Sequence, residues 1–335
     1  MAVWLMNKIL ITTGDPNGIG AEITIKALNK LNLPIDDIAI ISNKKIIEYY
    51  GKLDKDYEII EIPYDSEITP GKITKEAGEF SFQSVKLACE LGAKAIVTAP
   101  VAKNAMHLAG HNFNGQTEIL QKYLAHDNQL AEMLFVAENF RVLLLTRHVP
   151  LKEINLTKEM VIEKITNLKK FFVTHFGILE PKFALCGFNP HSGEDGILGR
   201  EEIEILQPAV DELRQKGFNI TNPLPADTLF VNVAKNYIKC HCEGVERPSQ
   251  SHNNEITTSH SLMNAPRNDI YDCIIANYHD QGLIPIKTVA GDKTVNMTIG
   301  LDIIRTSPGH GTAFDIAGKN IADETGMIEA IKAVL

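Results

Sequence analysis

Short apolar runs, each the length of one β-strand, recur along this 335-residue chain and alternate with longer amphipathic stretches. The runs are Lys8–Thr12, Ile38–Ser42, Ala95–Thr98, Arg141–Thr146, Phe183–Cys186, Tyr271–Ala276 and, as the last, Thr294–Ile299. Strands so poor in polar side chains belong to sheets covered on both faces, with the covering helices between them in sequence. Helical spacing predicts helices over Ala21–Leu31, Ala77–Leu91, Thr117–Leu124, Lys158–Lys170, Glu201–Lys216 and Thr325–Val334. The stretch Asp54–Ile73 reads as irregular or as short strands. The length exceeds that of one open α/β domain, so two α/β/α lobes with a central cleft are expected. Residues 1–140 with 295–335 form the first lobe in this reading, and 141–294 the second. The polar segment 236–269 has no sustained period and reads as an insertion.

Composition narrows the function classes. A formal net charge of -9 argues against general nucleic-acid binding, which needs a basic face, but leaves room for a small phosphorylated ligand. The apolar runs are too short to span a bilayer, and no export signal opens the chain, so a cytoplasmic protein is expected. The five cysteines suggest no disulfide framework; Cys89, Cys186 and Cys273 sit among apolar residues and read as buried thiols. Cys240, His241, Cys242, His252 and His260 lack the usual zinc-ligand spacing, and a surface insertion is the better reading there.

Three histidines each follow a strand: His148, His191 and His279. Ligands of open α/β folds collect at the carboxyl ends of strands, and neutral imidazoles suit divalent metals. On spacing alone the three rings could equally cap loops. Asp195 and Asp280 stand near them as carboxylates that could orient the rings or add ligands. Lys287 is a candidate proton carrier beside such a metal, or else a surface lysine. Asn296 and Arg305 flank a further strand, and a guanidinium beside Thr306-Ser307 is a credible anion clamp. Lys103, in the loop after Thr98, could face the cleft. The turn GDPNGIG misses the dinucleotide-binding glycine order and reads as a tight strand-to-helix turn. In SPGHGTAFDIAGKN, Gly309, Gly311 and Gly318 permit close backbone approach, and His310 could pack beside an adenine; a purely structural loop is the alternative.

Taken in order, GDPNGIGAE, VTAPVAKNAM, GQTEIL, LLLTRHVPLKEI, CGFNPHSGEDG, NPLPADTLF, NYHDQGLIPIK, VNMTIGLDIIRTS and HGTAFDIAG resemble the 4-hydroxythreonine-4-phosphate dehydrogenase family of vitamin B6 biosynthesis. The resemblance runs from Ile9 to near the C-terminus, outside much of the 236–269 segment. It implies the fold of the isocitrate and isopropylmalate dehydrogenases, with the first lobe on the nicotinamide side. It implies His148, His191 and His279 as ligands of a divalent cation (zinc, magnesium, manganese or cobalt), one of them reaching across a homodimer. It implies Gln116, Thr117, Lys287, Asn296 and Arg305 as substrate-binding residues, with Lys287 and His279 catalytic and His310, Gly311 and Thr312 toward NAD or NADP. The implied reaction oxidises 4-phosphohydroxy-L-threonine to 2-amino-3-oxo-4-(phosphooxy)butanoate, which decarboxylates to 3-amino-2-oxopropyl phosphate. The family usually has histidine where this chain has Gln116, and glutamine cannot become a cation. Oxidative decarboxylation of D-threonate or D-erythronate 4-phosphate is therefore a second reading, and a non-catalytic metabolite-binding protein a third.

Overall fold

The structure, a computed structural model, describes residues 5–127, 129–242 and 271–335, with the side chains of 239–242 outside the description. The chain divides into two compact units, Met1–Ala131 with Asp292–Leu335, and Glu132–Gly291.

In the first unit, β1 (Ile9–Thr12), α1 (Gly20–Leu31), β2 (Ile38–Ser42), α2 (Lys44–Tyr50), β3 (Glu58–Glu61), α3 (Lys75–Leu91), β4 (Ala95–Thr98), α4 (Lys103–Leu108) and α5 (Gln116–Leu124) follow in order. The second unit contains β5 (Glu132–Ala137), β6 (Phe140–Leu144), α6 (Lys158–His175), β7 (Lys182–Leu185), α7 (Gln207–Gln215), β8 (Asn219–Ile220), α8 (Ala226–Cys242), β9 (Cys273–Ala276) and α9 (His279–Ala290). The chain then returns to the first unit with β10 (Val295–Ile299), β11 (Ile304–Pro308) and α10 (Thr325–Lys332).

The first unit's strands run β3-β2-β1-β4-β11-β10, parallel except for the antiparallel β10–β11 pair. Strand alternation sorts its core into two layers. Ile9, Ile11, Ile38, Ile40 and Val97 pack with Ile23, Leu28 and Met327 of α1 and α10. Leu10, Ala39, Ile41 and Ile96 pack instead with Phe80, Val85 and Ile119 of α3 and α5. A sheet covered on both faces is the arrangement its near-continuous apolar strands require. At the α3–α4 crossing, a Cβ on Gly78 would stand 1.9 Å from the Ala105 carbonyl oxygen, so only glycine lets the two backbones meet.

The second unit's strands run β5-β6-β9-β7-β8, parallel apart from the β5–β6 hairpin. Phe135, Phe140, Val142, Leu144, Ile274 and Leu283 form one layer of its core. On α6, Phe172 meets Phe183 of β7 edge-on, ring centroids 5.5 Å apart. The division falls before β5, earlier than position 140, because β5 pairs residue for residue with β6.

Several elements depart from the sequence reading. Thr294–Ile299 is not the last strand, since β11 follows it. The segment after Tyr278, to which the sequence reading assigns no element, is a helix, and it accommodates Pro285. The start of the expected insertion, 236–242, continues helix α8. The rest of that insertion, including His252 and His260, lies outside the described residues, as do the side chains of Cys240, His241 and Cys242. Cys89, Cys186 and Cys273 are buried free thiols, as expected. Among the described residues no helix is long and apolar enough to cross a membrane.

Candidate active site

In the second unit β9 lies between β6 and β7, all three parallel, so His148, His191 and His279 emerge at the same sheet edge. Asn277 binds the three strand ends together. Its Nδ2 donates to the Cys186 carbonyl at 2.8 Å, and its carbonyl accepts from Thr146 N at 3.1 Å and Thr146 Oγ1 at 2.7 Å. Gln281, one turn into α9, accepts from Asn277 N at 2.7 Å and donates to the Gly187 carbonyl at 2.7 Å. Asn277 is fully buried, and these bonds satisfy its backbone and its Nδ2, while its Oδ1 has no partner among the described residues. Sequence reasoning missed both side chains; only their place inside the NYHDQG motif marked them.

His148 and His279 come together, ring centroids 5.7 Å apart and planes inclined at 42°. Two imidazoles on one tetrahedral ion, each bound at about 2.1 Å, put their ring centres roughly 5 Å apart. The pair therefore suits a shared divalent cation. Nδ1 of His279 is bonded to Asp280 Oδ1 at 2.8 Å, which leaves Nε2 for a ligand and fixes the ring. The same division recurs at His191, whose Nδ1 meets Glu194 Oε1 at 2.5 Å. Glu194, not the expected Asp195, orients that ring. The Glu194 carboxylate holds the His191 imidazole's pKa above its ordinary value.

His191 does not complete the pair. Among the described residues no three His, Cys, Asp or Glu side chains of one chain gather into a group able to hold a metal ion. His191 is more exposed than His279, its side chain 64% accessible against 39%. It opens a left-handed turn: His191, Ser192, Gly193, Glu194 and Asp195 all have φ between 42° and 82°. Each non-glycine residue there costs about 1–2 kcal/mol relative to the right-handed form. Lys287 lies on the last turns of α9 and is exposed. Eight residues of helix set it about 12 Å along the axis from His279.

The first unit holds a separate polar face. Antiparallel register puts Asn296 opposite Ser307 and Thr298 opposite Arg305, on one side of β10–β11. Arg305 is no surface residue, being 3% exposed; its Nε and Nη2 donate to Thr98 Oγ1 at 2.8 and 2.5 Å. Its Nη1 and Asn296 Oδ1 are buried without a partner among the described residues. Burial brings the guanidinium down to about 10, so it remains cationic at neutral pH. At the start of α5, Gln116 Nε2 donates to the Ala99 carbonyl at 3.1 Å while its buried Oε1 has no partner among the described residues; Thr117 beside it is buried. Lys103 opens α4 and is exposed.

The glycine-rich loop 309–318 meets the GDPNGIG turn. Ile19 N donates to the Thr312 carbonyl at 3.1 Å, and a Cβ on Gly18 would stand 3.1 Å from Thr312. His310 packs against Gly326, while the space over Gly311 is open. The turn itself is tight, as expected: a Cβ on Gly20 would lie 2.2 Å from the Thr13 carbonyl oxygen. Within it Asp15 is fully buried, and burial pushes its carboxyl from 3.8 up to about 6. An acid raised in the folded state stabilises below its unfolded pKa and loses that contribution as pH climbs through the folded value. Asp15→Asn should therefore gain on the parent protein by about 2–3 kcal/mol between about pH 4 and pH 7. Thermal melts across that range check it; a constant difference between the two proteins would contradict it.

Residues 7–334 match the family model of PdxA, the pyridoxal phosphate biosynthetic protein. The chain belongs to the PdxA family. It is 37% identical to a 4-hydroxythreonine-4-phosphate dehydrogenase of Sulfurihydrogenibium sp. (strain YO3AOP1), with 98% of each chain covered. It is 35% identical to a putative D-threonate 4-phosphate dehydrogenase of Oceanobacillus iheyensis, covering 96% of this chain and 95% of that one. The crystal structure of 4-hydroxythreonine-4-phosphate dehydrogenase from Klebsiella pneumoniae superposes with a TM-score of 0.76 at 31% identity, 98% of each chain covered. This PdxA-family chain is thus a dehydrogenase with the family's mixed α/β fold.

Proposed function

We propose that this protein oxidises 4-phosphohydroxy-L-threonine with NAD or NADP, giving 2-amino-3-oxo-4-(phosphooxy)butanoate, which loses carbon dioxide to leave 3-amino-2-oxopropyl phosphate. The observation that carries the metal-dependent form of this reading is the His148–His279 pair with Nδ1 of His279 held by Asp280. His148 and His279, with His191 contributed by a second copy in a homodimer, would hold the divalent cation. That cation, when bound, polarises the hydroxyl that becomes the ketone and later the carbonyl next to the departing carboxylate.

The protein's own side chains bind and orient. Arg305, a buried cation with Nη1 unspent, supplies the positive charge for an anionic end of the substrate. Thr117 and the second N–H of Gln116 serve the phosphate side, and Asn296 Oδ1 accepts from a substrate hydroxyl or ammonium. Lys287 Nζ carries the proton returned to carbon after decarboxylation. The open backbone at Gly311, between His310 and Thr312, receives the nicotinamide cofactor.

Gln116 favours a second reading, oxidation of D-threonate or D-erythronate 4-phosphate. Its amide is already tied to the Ala99 carbonyl and brings no charge to the phosphate. Steady-state turnover of the three acids side by side separates the readings. We expect the highest kcat/KM on 4-phosphohydroxy-L-threonine, raised further by Gln116→His. Turnover confined to either sugar acid would replace the first reading with the second.

A further inference from the structure

A buried carboxylate eleven residues downstream of His191 reaches back to the turn that carries it. Glu202 is 6% exposed, and it accepts twice from the same residue: from Asn189 N at 2.7 Å and from Asn189 Nδ2 at 3.0 Å. Glu201 Oε2 accepts from that Nδ2 as well, at 2.6 Å. Asn189 is thereby pinned through backbone and side chain at the point where the left-handed turn begins.

The turn closes around the same clamp. A Cβ on Gly193, at φ +82°, would stand 2.8 Å from Glu202 Oε2, and one on Gly199 2.2 Å from Asn189 Nδ2. Leu198 N closes the far side on the Gly193 carbonyl at 3.0 Å. Glu202 sits at the head of a π-helical stretch, Glu202–Leu206, that runs into Pro208. Proline has no N–H to give the Glu204 carbonyl, which accounts for a widened turn there. A run of residues held in the left-handed well has no slack, so a shift of Asn189 passes directly to the imidazole two residues on.

We propose that Glu202 is a positioning residue for the metal centre: by holding Asn189 it presents His191 Nε2 at a fixed point to the cation. This rests on the shared-metal reading above. Glu202→Gln tests it, because one carboxylate oxygen becomes an amide donor facing the donors of Asn189. Asn189→Ala removes only the lateral arm and should do less. The readout is zinc affinity of the apo protein, measured by competition with a chromophoric chelator, with dimer mass by light scattering. Glu202→Gln should weaken zinc binding about 10–100-fold with the dimer intact, and Asn189→Ala by a smaller factor. Glu202→Gln and Asn189→Ala binding zinc like the parent, while His191→Ala loses it, would overturn the positioning role and leave the metal site standing. Parent protein and His191→Ala binding zinc equally would overturn the shared site and this inference with it. Should Glu202→Gln fail to fold, Asn189→Ala decides alone: parent-like affinity rejects the role.

Discussion

His279→Ala should lose about 10²–10⁴-fold in kcat/KM while the protein folds and assembles as before, since polarisation by a bound cation is worth several kcal/mol. The reason lies in how little else His279 does. Its ring is partly exposed, its Nδ1 bond goes to a neighbouring exposed carboxylate, and the lacing of the strand ends belongs to Asn277 and Gln281. Removing the imidazole therefore costs little packing and leaves the fold to Asn277. Steady-state kinetics with metal-depleted and metal-supplemented buffer, beside circular dichroism, makes the comparison. Activity within a few-fold of the parent would remove His279 from the reaction.

Arg305→Met should move stability and binding in opposite directions. A buried guanidinium satisfied on one side by a single hydroxyl costs desolvation that its partners do not fully offset, so a methionine of similar length should hold or raise the melting temperature. In the proposed site, losing the cation would remove a charge-assisted hydrogen bond to the substrate, worth about 1.5–3 kcal/mol, and should raise KM about 10–100-fold. Differential scanning calorimetry and substrate titration read the two effects independently. A fall in melting temperature with KM unchanged would make Arg305 a structural residue of the β4–β11 pair.

The sequence made the strand-end chemistry legible because it is local. β6, β7 and β9 are apolar runs that stop abruptly, and each histidine follows within a few residues. α1, α3 and α6 were legible for the same reason, since the apolar spacing that marks them lies within the elements themselves. Elements defined by distant partners were not. α9 begins with a turn-like NYHDQG and contains Pro285; it is held by Gly282, where a Cβ would come within 2.6 Å of Leu144 on β6. β5 starts on a charge, the buried Glu132, which pairs with the distant, half-buried Lys164. Asn277 reaches Cys186 across ninety-one positions, and Glu202 reaches back to Asn189 from another helix. The sequence offered Arg305 as an anion clamp beside Thr306-Ser307, but nothing near it in the chain reveals its bonds to the distant Thr98.

The account turns on a cation held by His148 and His279 of one subunit and His191 of another, and subunit mixing tests that most directly. His191→Ala and His279→Ala dimers, each inactive, are mixed, dissociated and reassembled. In a mixed dimer one site then keeps all three imidazoles and the other loses two. Random reassembly predicts recovery of about a quarter of the parent activity. No recovery, in a sample shown by mass spectrometry to contain the mixed dimer, would contradict a site shared between subunits.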